Sequence, residues 1–135
     1  MRKFARMLTG EVAAGRSFCC LIADDHELRR LNREFRKKDH TTDVLSFPSE
    51  DGNHESLPHT DHALGDIAIS FDRAEQQASA LGHSAEQEIQ ILMLHGLLHL
   101  TGLNHENDRG EMARAERRWR KRFGLPAGLI ERVSQ

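Results

Sequence analysis

The chain has 135 residues, 38% hydrophobic and 30% charged, with a formal net charge of −2. This balance excludes a disordered tail, and any hold on nucleic acid must come from local patches rather than from an overall basic charge. No apolar run approaches the roughly 20 residues needed to cross a bilayer, so no membrane partner is expected, and one shared core across residues 1–135 is the simplest organisation.

Taken in chain order, residues 2–14 predict a helix with Phe4, Met7, Leu8 and Val12 on one face and Gly15 as its stop. Its charge, without a long apolar segment, does not fit a signal peptide, and the expected location is the cytoplasm. A strand follows over 17–23, where Cys19 and Cys20 alternate faces and are expected as buried, reduced thiols. Asp24 or Asp25 caps the next helix, with Leu28, Leu31 and Phe35 on one face and Arg29, Arg33 and Arg36 on another. A second strand at 43–47 is closed by Pro48. The polar loop after it carries His54, His59 and His62, expected as solvent-exposed residues rather than a second metal site.

LGDIAIS, 64–70, alternates as a third strand and is followed by a helix over 72–81 that ends at Gly82. Ser84 and Gln87 form a capping-box signature for a helix running to about Leu100. Apolar residues from Ile89 to Leu100 cover most of its circumference, which predicts a central, buried helix. A last helix is expected over 108–123. Strands alternating with helices point to an α/β fold built around a small sheet.

Two histidines interrupt that apolar helix. His95 and His99 lie four residues apart, on one face and about one turn from each other, which is a metal-chelating geometry. Gly102 can end the helix in a left-handed conformation and turn the chain back so that His105 reaches the same point. Three imidazoles leave a fourth position for water, the pattern of a catalytic zinc site. Burying each imidazole alone would cost a few kcal/mol, and one shared cation satisfies all three. The spacing is that of the H-E-x-x-H-x-x-G-x-x-H metalloproteases, except that Gly96 stands where those enzymes keep their general base. A small residue at 96 leaves room for a neighbouring backbone or a bulky substrate. Glu88 shares the His95 face but is two turns away, roughly 10 Å along the helix, and is expected to anchor a neighbouring group.

HGLLHLTGLNH, 95–105, resembles the hallmark H-G-x-L-H-L-x-G-x-D-H of the YbeY-type rRNA maturation factors. Leu31 to Pro48, LNREFRKKDHTTDVLSFP, is similar to that family's LN-x-x-[YF]-R-x-x-D-x-x-TDVLSFP block, and Leu64 to Ser70 resembles its GDI-containing strand. The resemblance implies a small mixed sheet of three to four strands covered by about five helices, with the metal site on the central buried helix and the turn after it. It also implies a metal-dependent endoribonuclease that cuts single-stranded RNA, matures the 3′ end of small-subunit rRNA and works with the small ribosomal subunit and assembly factors. Carried over, the metal ligands are His95, His99 and His105, and the functional arginine is Arg36. Two departures stand out. Asn104 replaces the family's Asp, and the chain opens on a helix where family members usually have a strand, so a sheet one strand smaller is expected.

The expected cofactor is one divalent ion, Zn²⁺, with Ni²⁺ as an alternative because imidazoles suit several metals. Arg36 would hold a phosphate oxygen through its planar fork. Asp43, Asp66, Glu106 and Asp108 are candidates for the general base. Two cationic stretches, Arg29 to Lys38 and Arg117 to Arg122, are candidates for tracking an RNA backbone. The competing readings are a ribosome-assembly binding factor with a structural metal and, disfavoured by Gly96, a metalloprotease-like hydrolase.

Overall fold

GDIAIS carries apolar side chains on both faces, Ile67 and Ile69 on one and Ala68 on the other, which suits a strand covered on both sides. The computed structural model, which describes residues 1–49, 63–104 and 107–133, places this strand, β3 (Gly65–Ser70), between β1 (Cys19–Ala23) and β2 (Val44–Pro48). β1 runs parallel to β3 and β2 antiparallel, with Cys20 and Ser46 both opposite Ile67. The described sheet is thus mixed and three-stranded.

Helices cover both faces. Ile67 and Ile69 point into the main core with Leu92 and Met93 of α4 (Ala85–Leu100). Ala68 points the other way, against Leu28 of α2 (Asp25–Arg36) and Leu45. Helix α3 (Phe71–Leu81) leaves β3 directly, with Ser70 accepting from the Arg73 amide, and packs beside α4. Helix α4 buries 11 of its 16 residues and is central, as its sequence predicts. The capping box is complete: Ser84 Oγ accepts from the Gln87 amide and Gln87 Oε1 from the Ser84 amide, both at 3.1 Å.

The ends of the chain depart from expectation. The first helix is α1 (Arg2–Met7), which loosens into a π-helical turn over Leu8–Val12, with the Ala13 amide bonding to Leu8 O. Thr9 Oγ1 bonds back to Ala5 O and Gly10 follows, two weak helix formers in a row. Helix α5 (Glu111–Arg122) starts three residues later than predicted, because the Asp108 carboxylate accepts from the Gly110 and Met112 amides and so precedes the helix. A short further helix, α6 (Leu129–Val133), went unpredicted, since five residues carry too little periodicity to detect.

Exposure corrects two further expectations. β1 is an edge strand, so Cys19 is exposed and only Cys20 is half-buried; burial, and secondarily Cys19, push the Cys20 thiol up to about 11. Phe35, expected on the apolar face of α2, is 66% exposed at the end of that helix, edge-on to the Phe47 ring.

Gly96 sits where α4 meets the sheet, and what occupies the space is side chain rather than backbone or ligand. A Cβ there would stand 2.9 Å from Ile67 Cγ2 and 3.1 Å from Ser46 Oγ, and Ser46 Oγ already donates to Gly96 O at 3.0 Å. Gly96→Ala gains roughly 1 kcal/mol of helix propensity but incurs an overpacking penalty of about 1–3 kcal/mol. The expected outcome is a lower urea midpoint at unchanged slope, read by circular dichroism.

Candidate metal centre

His95 and His99 occupy the last two turns of α4, and their rings meet edge-on with centroids 4.9 Å apart. His95 is buried and His99 half-buried. Each ring is oriented through Nδ1. His95 Nδ1 lies 2.7 Å from Glu116 Oε2 of α5, and His99 Nδ1 lies 3.1 Å from Leu103 O. A carbonyl and a carboxylate only accept, so each Nδ1 carries a proton and donates. That donor set fits a cation: two imidazoles one turn apart, each anchored through Nδ1.

The acceptor for His99 is a product of the helix end. The Gly102 amide bonds to His99 O at 3.0 Å and the Leu103 amide to Leu98 O at 3.2 Å, the two bonds of a Schellman turn. Gly102 makes it possible at φ +102°, a conformation other residues rarely adopt. The turn swings the Leu103 carbonyl back onto His99. His105, the third expected ligand, lies outside the described residues, as do Glu106 and the loop histidines His54, His59 and His62. Among the described residues, no group of three or more metal-ligating side chains is assembled.

Arg36 is exposed in the last turn of α2. That helix covers the opposite sheet face from α4, and Arg36 makes no ion pair among the described residues. The structure brings His95 and His99 together and does not bring Arg36 into contact with them. Arg29 and Arg33 are drawn to Asp39, and Arg117 and Arg120 to Glu131, so each expected cationic stretch is partly neutralised.

Among the candidate bases, Asp108 accepts from the Gly110 and Met112 amides just before α5, Asp43 Oδ2 accepts from Gln77 Nε2 at 3.1 Å, and Asp66 lies on the α2 side of β3. There it lines an open, mostly apolar hollow of about 430 Å³ with Cys19, Leu31, Phe35 and Phe47, on the sheet face away from the histidines.

Glu116 is the residue sequence reasoning missed. It follows Met112 and precedes Trp119 and Phe123 on the apolar stripe of α5, a carboxylate in a core position just as His95 is an imidazole in one. The many arginines around it hid that signal. Glu88 does anchor neighbours: it is fully buried, 2.6 Å from His83 Nε2 and bonded twice by Arg132.

A family model described as "Endoribonuclease YbeY" matches residues 3–124. The chain belongs to the YbeY family. Among its relatives, a protein of Solibacter usitatus named "Endoribonuclease YbeY" is 59% identical over 133 residues, covering 98% of this chain and 84% of the relative. A Koribacter versatilis protein of the same name is 49% identical, covering 85% and 70%. A solution structure from Thermotoga maritima, 24% identical, matches with a TM-score of 0.59 over 87% of this chain and 77% of that one, which supports the fold. The YbeY match ends at residue 124, before α6.

One ion pair on α6 titrates in an accessible range. Two hydrogen bonds from Arg120, at 2.7 and 2.8 Å, hold the Glu131 carboxyl down at about 2. A depressed carboxyl stabilises the fold above its unfolded value, about 4.3, and loses that contribution as pH falls toward 2. Stability measured by denaturant titration across this window should fall more steeply for wild type than for Glu131→Gln, and the two curves should run parallel above about pH 5.

Proposed function

We propose that this YbeY-family endoribonuclease depends on a metal ion and cuts single-stranded RNA during maturation of the 3′ end of small-subunit rRNA. The observation that carries the metal reading is the pair of Nδ1-anchored imidazoles on one face of a buried helix end. His95 and His99 would hold the ion, with His105 supplying a third imidazole from the chain that follows the Gly102 turn. Zn²⁺ is the ion proposed, with Ni²⁺ the alternative. When bound, such a cation polarises a phosphoryl oxygen and lowers the pKa of bound water toward about 7.

The chain's own residues do the rest. Glu116 and the Leu103 carbonyl keep both rings in the ligating tautomer. Arg36, unpaired within the described residues, is proposed to hold a non-bridging phosphate oxygen of the RNA. Lys37 and Lys38 beside it, also exposed, extend the cationic surface along which the strand would run. The proposed setting is the cytoplasm, in contact with the small ribosomal subunit and its assembly factors. No helix among the described residues is long and apolar enough to cross a membrane.

Purified protein assayed on a single-stranded RNA tests this directly. Wild type should cut in a manner abolished by a chelator and restored by Zn²⁺ or Ni²⁺, and His99→Ala should be inactive and bind metal weakly. Arg36→Ala should keep its metal and its melting temperature while losing roughly 10- to 100-fold in kcat/KM, the effect of losing one charge-assisted hydrogen bond to a phosphate. Wild-type cutting by a folded Arg36→Ala would remove Arg36 from the mechanism. Metal-independent cutting, or none, would remove the metal from it.

A further inference from the structure

His95 is held from behind by an element that has no other part in the metal centre. Glu116 is fully buried and its two oxygens have different partners. Oε2 accepts from His95 Nδ1 at 2.7 Å, and Oε1 accepts from the backbone amide of Ile130 in α6 at 2.9 Å. The same short helix is tied to the opposite end of α4: Arg132 donates to Glu88 Oε2 at 2.8 Å and to Glu88 Oε1 at 2.7 Å. Gly128, which leads into α6, is pressed so closely on Glu116 that a Cβ there would overlap the carboxylate. A helix of five residues does not hold itself together in water, so α6 is present only because these contacts and its apolar packing dock it.

We infer that Glu116 is a positioning residue for the metal centre and that α6 holds it there, so that docking of the C-terminal helix tunes metal affinity at His95. A carboxylate on the second nitrogen of a ligating imidazole fixes ring and tautomer and raises its basicity, and losing such a partner costs 10- to 100-fold in affinity. Glu116 can play that part only if its other oxygen is satisfied, since a buried carboxylate short of a donor would reorient toward one. The Ile130 amide is that donor. Arg132, by fixing α6 against Glu88, keeps the amide in register with Glu116. The inference rests on the reading of His95 as a ligand.

Full-length protein titrated with Co²⁺ against a chromogenic chelator gives affinity, and the visible spectrum of bound Co²⁺ reports ligand geometry independently of activity. Glu116→Gln should bind Co²⁺ about 10- to 100-fold more weakly with an altered spectrum. Gly128→Ala, which displaces the carboxylate without changing it, and the paired change Glu88→Gln with Arg132→Met, which frees α6 without stranding a buried charge, should shift affinity in the same direction by smaller factors. Leu28→Ala, in the cluster on the far sheet face, should lower the melting temperature at wild-type affinity, so that lost stability alone does not imitate the effect. If Glu116→Gln does not fold, the Gly128 and paired variants carry the test. Folded variants that keep wild-type affinity and spectrum, beside a His95→Ala protein that loses Co²⁺, would overturn this inference alone. A His95→Ala protein that binds Co²⁺ like wild type would overturn the ligand reading and the inference with it.

Discussion

A helix wrapped in apolar side chains on nearly every side offers no water to its polar groups, and much of this molecule is arranged to meet the demands of α4. Glu88 is met by His83 and by Arg132 of α6, His95 by Glu116 of α5, His99 by the carbonyl of Leu103, and the Gly96 carbonyl by Ser46 of β2. Each partner comes from a different part of the chain. Leaving one such group unsatisfied costs about 1–3 kcal/mol, a large share of the 5–15 kcal/mol by which a domain is usually stable. The polar groups of α4 therefore dictate where the C-terminal helices must lie, while its apolar residues dictate only that something must cover them.

The same economy of placement supports the chemistry. A ligating imidazole must present one nitrogen and bury the other, and a core helix ending in a Schellman turn does both with few residues. The turn that stops α4 also returns the Leu103 carbonyl to His99, so termination and ring orientation are one local event. His95, a turn earlier, is out of reach of that carbonyl and takes its acceptor from α5 instead. One histidine is thus oriented by local structure and the other by tertiary structure.

That difference explains what could be read in the sequence. The burial of α4, the Ser84 capping box, the left-handed Gly102 and the spacing of His95 and His99 all follow from residues within a few positions of one another, and they stand in the structure as the periodicity implies. Glu116 and α6 were not legible in this way, because their role depends on partners 21 and 14 residues distant in the chain. The outward Phe35 was missed for another reason: a periodic pattern states which residues share a face and not whether that face is covered. The first helix loosens at Thr9 and Gly10, weak helix formers that the apolar spacing of Phe4, Leu8 and Val12 outweighed in the sequence reading. His105 belongs to the family hallmark and lies outside the described residues, so the third ligand rests on sequence resemblance and the first two on geometry as well.

Gly96 separates two chemistries that share one ligand spacing. In the metalloprotease pattern the residue after the first histidine is a glutamate that reaches into solvent beside the ion. Here that position faces inward onto Ile67 and Ser46, so a longer side chain would have to part the helix from the sheet before it could touch water. The rotation of α4 about its own axis, set by which residue lies flush on the sheet, closes position 96 to any group that must reach water.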